Sequence, residues 1–210
     1  MGDIMELRKI VVLATAALGL FSLSAAVYYH AARLPAPIAI DTRGHPSIGE
    51  GAIEIVIFED FRCTGCRIFS EEIFPQISTL YIETGLARFT IIPLAFLDGS
   101  RPLANAALGV FDLAPDRFHP FVRELFRTHA TNRREILSAA QKVGGIDLYY
   151  LARCIDAHLY DEVLDGNLNW ARQLLGHQFG TPTLFVGGIP TSTASFEAVA
   201  GRIAQIEKRR

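Results

Sequence analysis

From Ile53 an apolar, largely β-branched run, Ile-Glu-Ile-Val-Ile-Phe, passes through Glu59-Asp60-Phe61-Arg62 into Cys63-Thr-Gly-Cys66, and from Phe69 on apolar residues recur at helical spacing. Apart from Glu54 the run is apolar, as in a strand covered on both faces. Two cysteines spaced Cys-x-x-Cys therefore sit at a strand-to-helix junction, which demands a sheet with a helix laid over it. At such a helix start the unpaired N–H groups and the positive end of the dipole favour an anion, so the thiolate of Cys63 is expected to be stabilised and to act as nucleophile. Cys66, about one turn on, can attack a mixed disulfide formed at Cys63. The loop closed by the pair is too short to restrict the unfolded chain much, so their disulfide is expected to be easily spent. Thr64 and Gly65 bring no charge, which leaves the helix end, Arg62 and Arg67 to tune the thiolate. Half of a zinc site and a pair of inert core cysteines are the competing readings. A closed zinc site needs four ligands, and the chain has three cysteines and six scattered histidines, so no metal is expected.

The net charge of −2 over 210 residues is too balanced for a nucleic-acid surface, and no nucleic-acid partner is expected. Hydrophobic residues make up 50% of the chain, some of them in one local stretch. From Ile10 to Tyr29 no charged residue occurs, close to the roughly 20 residues a helix needs to cross a bilayer, and Arg8 and Lys9 precede it. Residues 1–34 therefore read as a membrane anchor or a secretory signal peptide, with Ser24, Ala25 and Ala26 permitting cleavage and the length favouring the anchor. A cysteine pair that cycles through its disulfide belongs outside the cytosol, which predicts the periplasm or cell envelope, tethered to the inner membrane by residues 10–29 or released after cleavage. Residues 35–50, with Pro35, Pro37 and Pro46, read as a linker, and residues 51–210 as the folded domain.

Within that domain Phe69, Ile73, Ile77 and Leu80 keep helical spacing through Pro75, predicting one kinked helix ended by Gly85. Leu86 to Ile92 reads as a strand closed by Pro93. From about 98 to 177 the pattern is helical only, with stripes at Leu103 to Phe111, Phe118 to Arg127, Arg134 to Val143, Leu148 to His158 and Asp161 to Leu175. This is an inserted helical bundle. Cys154 within it reads as a small buried hydrophobe, and His119, His129, His158 and His177 as helix-face or loop residues. Gly180-Thr-Pro182 leads into a strand, Thr183 to Val186, and Gly187-Gly188 marks a hairpin turn. Phe196, Val199, Ile203 and Ile206 form a last amphipathic helix ending in Lys208-Arg209-Arg210.

This order, with Glu59-Asp60-Phe61-Arg62-Cys63 and Gln178-Phe-Gly-Thr-Pro-Thr-Leu-Phe-Val-Gly-Gly188, resembles the DsbA-like thiol–disulfide oxidoreductases of the bacterial envelope over residues 50 to 210. The resemblance implies an α/β thioredoxin-like fold with a helical insertion, catalytic Cys63 and Cys66, and no cofactor. It also implies a cis Pro182 facing Cys63 and a Thr181 backbone that pairs with an extended substrate, so that Thr181 and Pro182 bind substrate. The partners implied are substrate proteins with cysteines and a membrane redox partner. Two departures stand out. Thr64-Gly65 replaces the Pro-His of the strongly oxidising members. The buried acid that many thioredoxin-fold proteins carry six residues before the first cysteine is Ile57 here, leaving Glu59 or Asp60 to substitute, with helix capping or the surface as their other roles. A dithiol oxidase of moderate strength is the expected function. The alternatives are a disulfide isomerase or reductase, which Thr181 suits by resemblance, and a carrier of a soft metal such as Cu(I).

Overall fold

The computed structural model describes residues 13–24 and 36–209. Residues 13–24 are helical, with Leu13, Leu18, Leu20, Phe21 and Leu23 exposed. Among the described residues no helix is long and apolar enough to cross a membrane. The rest of the uncharged run, residues 10–12 and 25–29, lies outside the described residues, as does Arg210.

From Pro37 the chain forms one compact unit around a five-stranded sheet. Its strands are β1 (Ser47–Ile48), β2 (Ile53–Asp60), β3 (Ala87–Leu94), β4 (Thr183–Val186) and β5 (Ile189–Thr191), in the order β1-β3-β2-β4-β5. The central pair β2 and β3 is parallel, from Ile53 opposite Ala87 to Asp60 opposite Leu94; the other neighbours are antiparallel. Parallel neighbours need a crossover, and the cysteine helix α1 supplies it. It starts as Thr64–Ile68, widens into a π-helical turn at Phe69–Ile73, returns to α geometry at Phe74–Ile77 and widens again at Ser78–Ile82.

Those two wide turns correct the expected stripe. Phe69, Ile73, Ile77 and Ile82 are buried, whereas Leu80 is half exposed, because each π turn advances the register and rotates the buried face. Two other expectations change. The segment read as a linker carries β1, and it is tied to the sheet by the bonds Ile38 N–H to Gly188 O at 2.8 Å and Ile91 N–H to Pro46 O at 2.9 Å. Pro93 lies inside β3 rather than closing it. Since β1 covers β3 only at Phe89 and Thr90, no ladder on that side is broken there, and the Pro93 carbonyl accepts from Asn167 Nδ2 at 3.0 Å.

Alternation along β2 separates two cores. Ile53, Ile55 and Ile57 face α1 and most of the helices; Val56 and Phe58 join Ile92, Leu94, Phe185 and Ala171 on the other face. The insertion comprises α2 (Arg101–Leu113), α3 (Pro115–Thr128), α4 (Arg133–Val143), α5 (Leu148–Asp156) and α6 (Asp161–Leu175), and α7 (Phe196–Glu207) closes the chain. Side chains cap three of these helices: Asn132 Oδ1 accepts from Glu135 N–H, Asp147 from Tyr149 and Tyr150 N–H, and Ser195 from Ala198 N–H. In α3 the buried residues Phe118, Phe121, Val122, Leu125 and Phe126 follow the i, i+3, i+4, i+7, i+8 rule, so one face of the helix packs against α1. Gly187 and Gly188 take φ of +56° and +74°, the paired positive values that a two-residue hairpin turn requires.

Candidate functional site

Asp60, the last residue of β2, is fully buried and fixes the loop that follows. Its Oδ1 accepts from Arg62 N–H at 2.9 Å, and its Oδ2 accepts from Phe96 and Leu97 N–H at 3.0 and 3.1 Å. The loop after β2 is thus stitched to the loop after β3, and the bond from Cys63 N–H to Asp60 O at 2.9 Å sets the first cysteine. Buried N–H groups left without such an acceptor would be costly, so Asp60 acts as a local scaffold.

Cys63 occupies the N-cap of α1, with φ −77° and ψ 123°. Neutral, it makes no capping bond to the helix. As a thiolate it gains one, because the N–H groups of Cys66 and Gly65 favour a negative sulfur. The Cys66 thiol favours that charge most, partial burial opposes it and the Thr181 side chain assists, so the Cys63 pKa falls from 9.0 to about 5. The Thr181 carbonyl, 3.1 Å from Sγ, accepts a bond that only the neutral thiol can donate, and it is outweighed. Cys66 is 0% exposed, and burial first, then the Cys63 sulfur and the Glu59 charge, push its thiol far above the usual range. Both sulfurs are free thiols. The pair is therefore polarised, with a partly exposed anion beside a buried neutral thiol.

The Thr181–Pro182 peptide is cis, and it brings the Thr181 carbonyl against Cys63 just before β4 begins. The approach is close. A Cβ built on Gly65 would lie 2.9 Å from Pro182 Cδ and 3.7 Å from Cys63 Sγ, so glycine is what leaves room for the proline loop over the cysteine turn. All four residues expected at the site, Cys63, Cys66, Thr181 and Pro182, are brought together.

Glu59 and Asp60 divide the roles that the sequence left open. Asp60 is spent on three backbone N–H groups, whereas Glu59 is 2% exposed and its Oε1 has no hydrogen-bond partner. Burial, then the negative charge on Cys63 and that on Asp60, raise the Glu59 pKa to about 8. Glu59 falls on the same face of β2 as Ile57, so a buried acid does lie under α1, two residues further along the strand. His119, expected on a helix face or in a loop, lies on the buried face of α3. It is 9% exposed, stacks on Phe74 with ring centroids 6.0 Å apart, leaves Nε2 without a partner, and is held neutral by burial with its pKa near 4. Its signal was its place inside the apolar stripe of α3, between Phe118 and Phe121.

A thioredoxin family model matches residues 43–204. The chain belongs to the thioredoxin family. Its kinship is with the DsbA-like members. DsbA from Chlamydia trachomatis superposes with a TM-score of 0.75 at 27% identity, over 84% of this chain and 99% of that one. BdbD from Bacillus subtilis gives 0.75 at 21% identity, over 82% and 98%. In sequence, disulfide bond formation protein D of Bacillus subtilis is 31% identical over 96 residues, covering 44% of this chain and 43% of that protein. The chain spans about half the length of the curated relatives it matches.

Proposed function

We propose that this DsbA-like thioredoxin-family protein exchanges disulfides with cysteine-bearing proteins, working most readily as a dithiol oxidase in the cell envelope. The observation that carries the reading is the polarisation of the pair, with Cys63 Sγ at the start of α1 against the Thr181 carbonyl and Cys66 sealed behind it. In the oxidising direction a substrate thiolate attacks Cys63 of the Cys63–Cys66 disulfide, and Cys66 departs with the bonding electrons. A second substrate thiolate then attacks the substrate sulfur of the mixed disulfide, and Cys63 leaves as a thiolate. Two electrons pass from the substrate dithiol to the cysteine pair, and no cofactor is required. A sulfur with a pKa near 5 is a good leaving group, so stabilising the reduced form makes the disulfide oxidising. Glu59, close enough for its charge to act on Cys66, carries a proton at neutral pH that the departing buried sulfur can take. Thr181, with its backbone beside Cys63 and next to the strand β4, offers an edge to an extended substrate, and Pro182 backs it.

The uncharged run from Ile10 to Tyr29 supports a further part of the proposal, an inner-membrane tether facing a membrane redox partner. Retention of the full-length chain in carbonate-washed membranes is expected, and a mature N-terminus near Val27 would show a cleaved signal instead.

Equilibration with glutathione tests the direction of exchange. The expected potential lies between about −120 mV and about −270 mV, the two ends set by strong oxidants and by thioredoxin. A value at or below the lower end would favour a reductase or isomerase. The pH dependence has a definite sign. Cys63 has a folded pKa below its unfolded one, so its stabilisation of the reduced form is complete above about pH 9 and is lost as the pH falls through about 5.

A further inference from the structure

Beside Cys63 an open cleft of about 220 Å³ runs between the first turn of α1 and the end of α3. Beneath it lie Phe61, set edge-on against Phe126 at 5.8 Å between ring centroids, and Leu125, all three almost fully buried, so that what the cleft presents is largely polar. Its rim carries Arg62, Arg67 and His129, and no carboxylate is among the residues that line it. The two arginines differ. Arg67 is held by Glu71 one turn on, at 2.8 Å, which neutralises it. Arg62 is exposed, and among the described residues its guanidinium makes no ion pair; only its backbone N–H is engaged, by Asp60. Asp98, next to Gly99 in the loop that approaches Arg62, forms no ion pair with it either. His129, at φ +51°, ends α3 and turns the following loop along the cleft.

We propose that this cleft selects protein segments with an acidic residue beside the target cysteine, Arg62 taking the carboxylate. The proposal rests on Cys63 being the exchanging sulfur. A guanidinium matches a carboxylate through two parallel hydrogen bonds, and a charge at the mouth of a cleft of low-dielectric protein attracts its counter-charge more strongly than one in open water. The same attraction brings an acidic segment to the sulfur faster, an effect that salt screens.

The test follows exchange by the reduced full-length chain with disulfide-linked dimers of three capped peptides, in which the residue after cysteine is Asp, Ser or Lys. The Cys63 thiolate attacks one peptide sulfur, and the other peptide leaves as a thiolate and takes a proton from water. Cys66 then attacks Cys63 and expels the second peptide, so two electrons move from the pair to the peptide disulfide. Each rate is divided by that of the same disulfide with dithiothreitol, which removes its intrinsic reactivity. The expected order is Asp, Ser, Lys, with Asp ahead of Lys by about 10-fold at low salt. That ratio should shrink towards one near 1 M salt, where the screening length is about 3 Å. Arg62→Gln should cut the Asp-to-Lys ratio by about threefold, as removal of one exposed charge contact does, and Arg62→Glu, which reverses the charge, should bring it close to one. Equal normalised rates for the three peptides, or a ratio unmoved in Arg62→Gln, would overturn the proposal. Absence of reaction with any of them, the Ser peptide included, would instead overturn the exchange reading beneath it.

Discussion

Cys63 and Cys154 are the same residue in opposite settings. Cys63 caps a helix, half open to solvent, with two N–H groups ready to receive its charge. Cys154 is 0% exposed in the last turn of α5, packed against α2 at Gly109, where an added Cβ would lie 2.6 Å from its Sγ. Burial raises its thiol pKa, whereas the neighbouring Cys66 thiol first, and the N–H groups at the helix start after it, lower that of Cys63. The reactivity of a thiol here is thus decided by the donors around the sulfur, the Cys66 thiol first and the helix-start N–H groups with it, and by an open side, and none of these can be read from the residue name.

The largest effect that would sharpen this contrast is loss of chemistry. Cys63→Ala should remove exchange altogether, and Cys66→Ala should accumulate mixed disulfides with substrates on non-reducing gels, because only Cys63 is placed to attack and only Cys66 to resolve. Trapping by Cys63→Ala would reverse the roles. Next comes the scaffold behind the open thiol. Asp60→Ala strands the N–H groups of Arg62, Phe96 and Leu97, and should cost about 3 kcal/mol or more in denaturant unfolding.

Glu59 tests whether a buried charge underlies the difference. Its folded pKa of about 8 lies above the ordinary 4.5, so the folded state holds a proton that the unfolded chain releases, and this penalty grows as the pH rises from about 4.5 and levels off above about 8. Glu59→Gln should therefore stabilise the fold by about 1–3 kcal/mol at pH 8 and by nothing at pH 4. An equal gain at both pH values would show that the acid is not held protonated. The smallest effect belongs to the closed thiol. Cys154→Ala should keep exchange intact and lower stability by about 1 kcal/mol, as truncation of a small buried side chain does. Lost activity with the fold retained would break the comparison.

Much of this site could be read from the sequence because it depends on local rules. The apolar run into Cys63, the helical spacing after it and the Gly187-Gly188 turn each follow from a few adjacent residues, and β2, α1 and the last hairpin lie where those rules put them. What could not be read depends on residues far apart. β1 is two residues long and exists because Thr90 and Phe89 wait opposite it, and no pattern of two residues could announce that. Leu80 left the buried stripe because π turns change the period that the stripe assumed. Glu59 and Asp60 were indistinguishable as neighbouring acids, since their fates turn on Phe96 and Leu97, more than 30 residues away. The cis peptide before Pro182 came from the family likeness rather than from any local pattern.

Gly65 limits how this protein can be re-tuned. The two residues between the cysteines lie against the thiolate, so they are the natural place for an engineer to shift the redox poise. Here that dial is jammed on one side: a side chain at position 65 meets the ring of Pro182 before it can influence the thiolate. Thr64, which is exposed, remains free to vary. A shift in the oxidising strength of this protein would thus come through position 64, or through a paired change that first moves the proline loop.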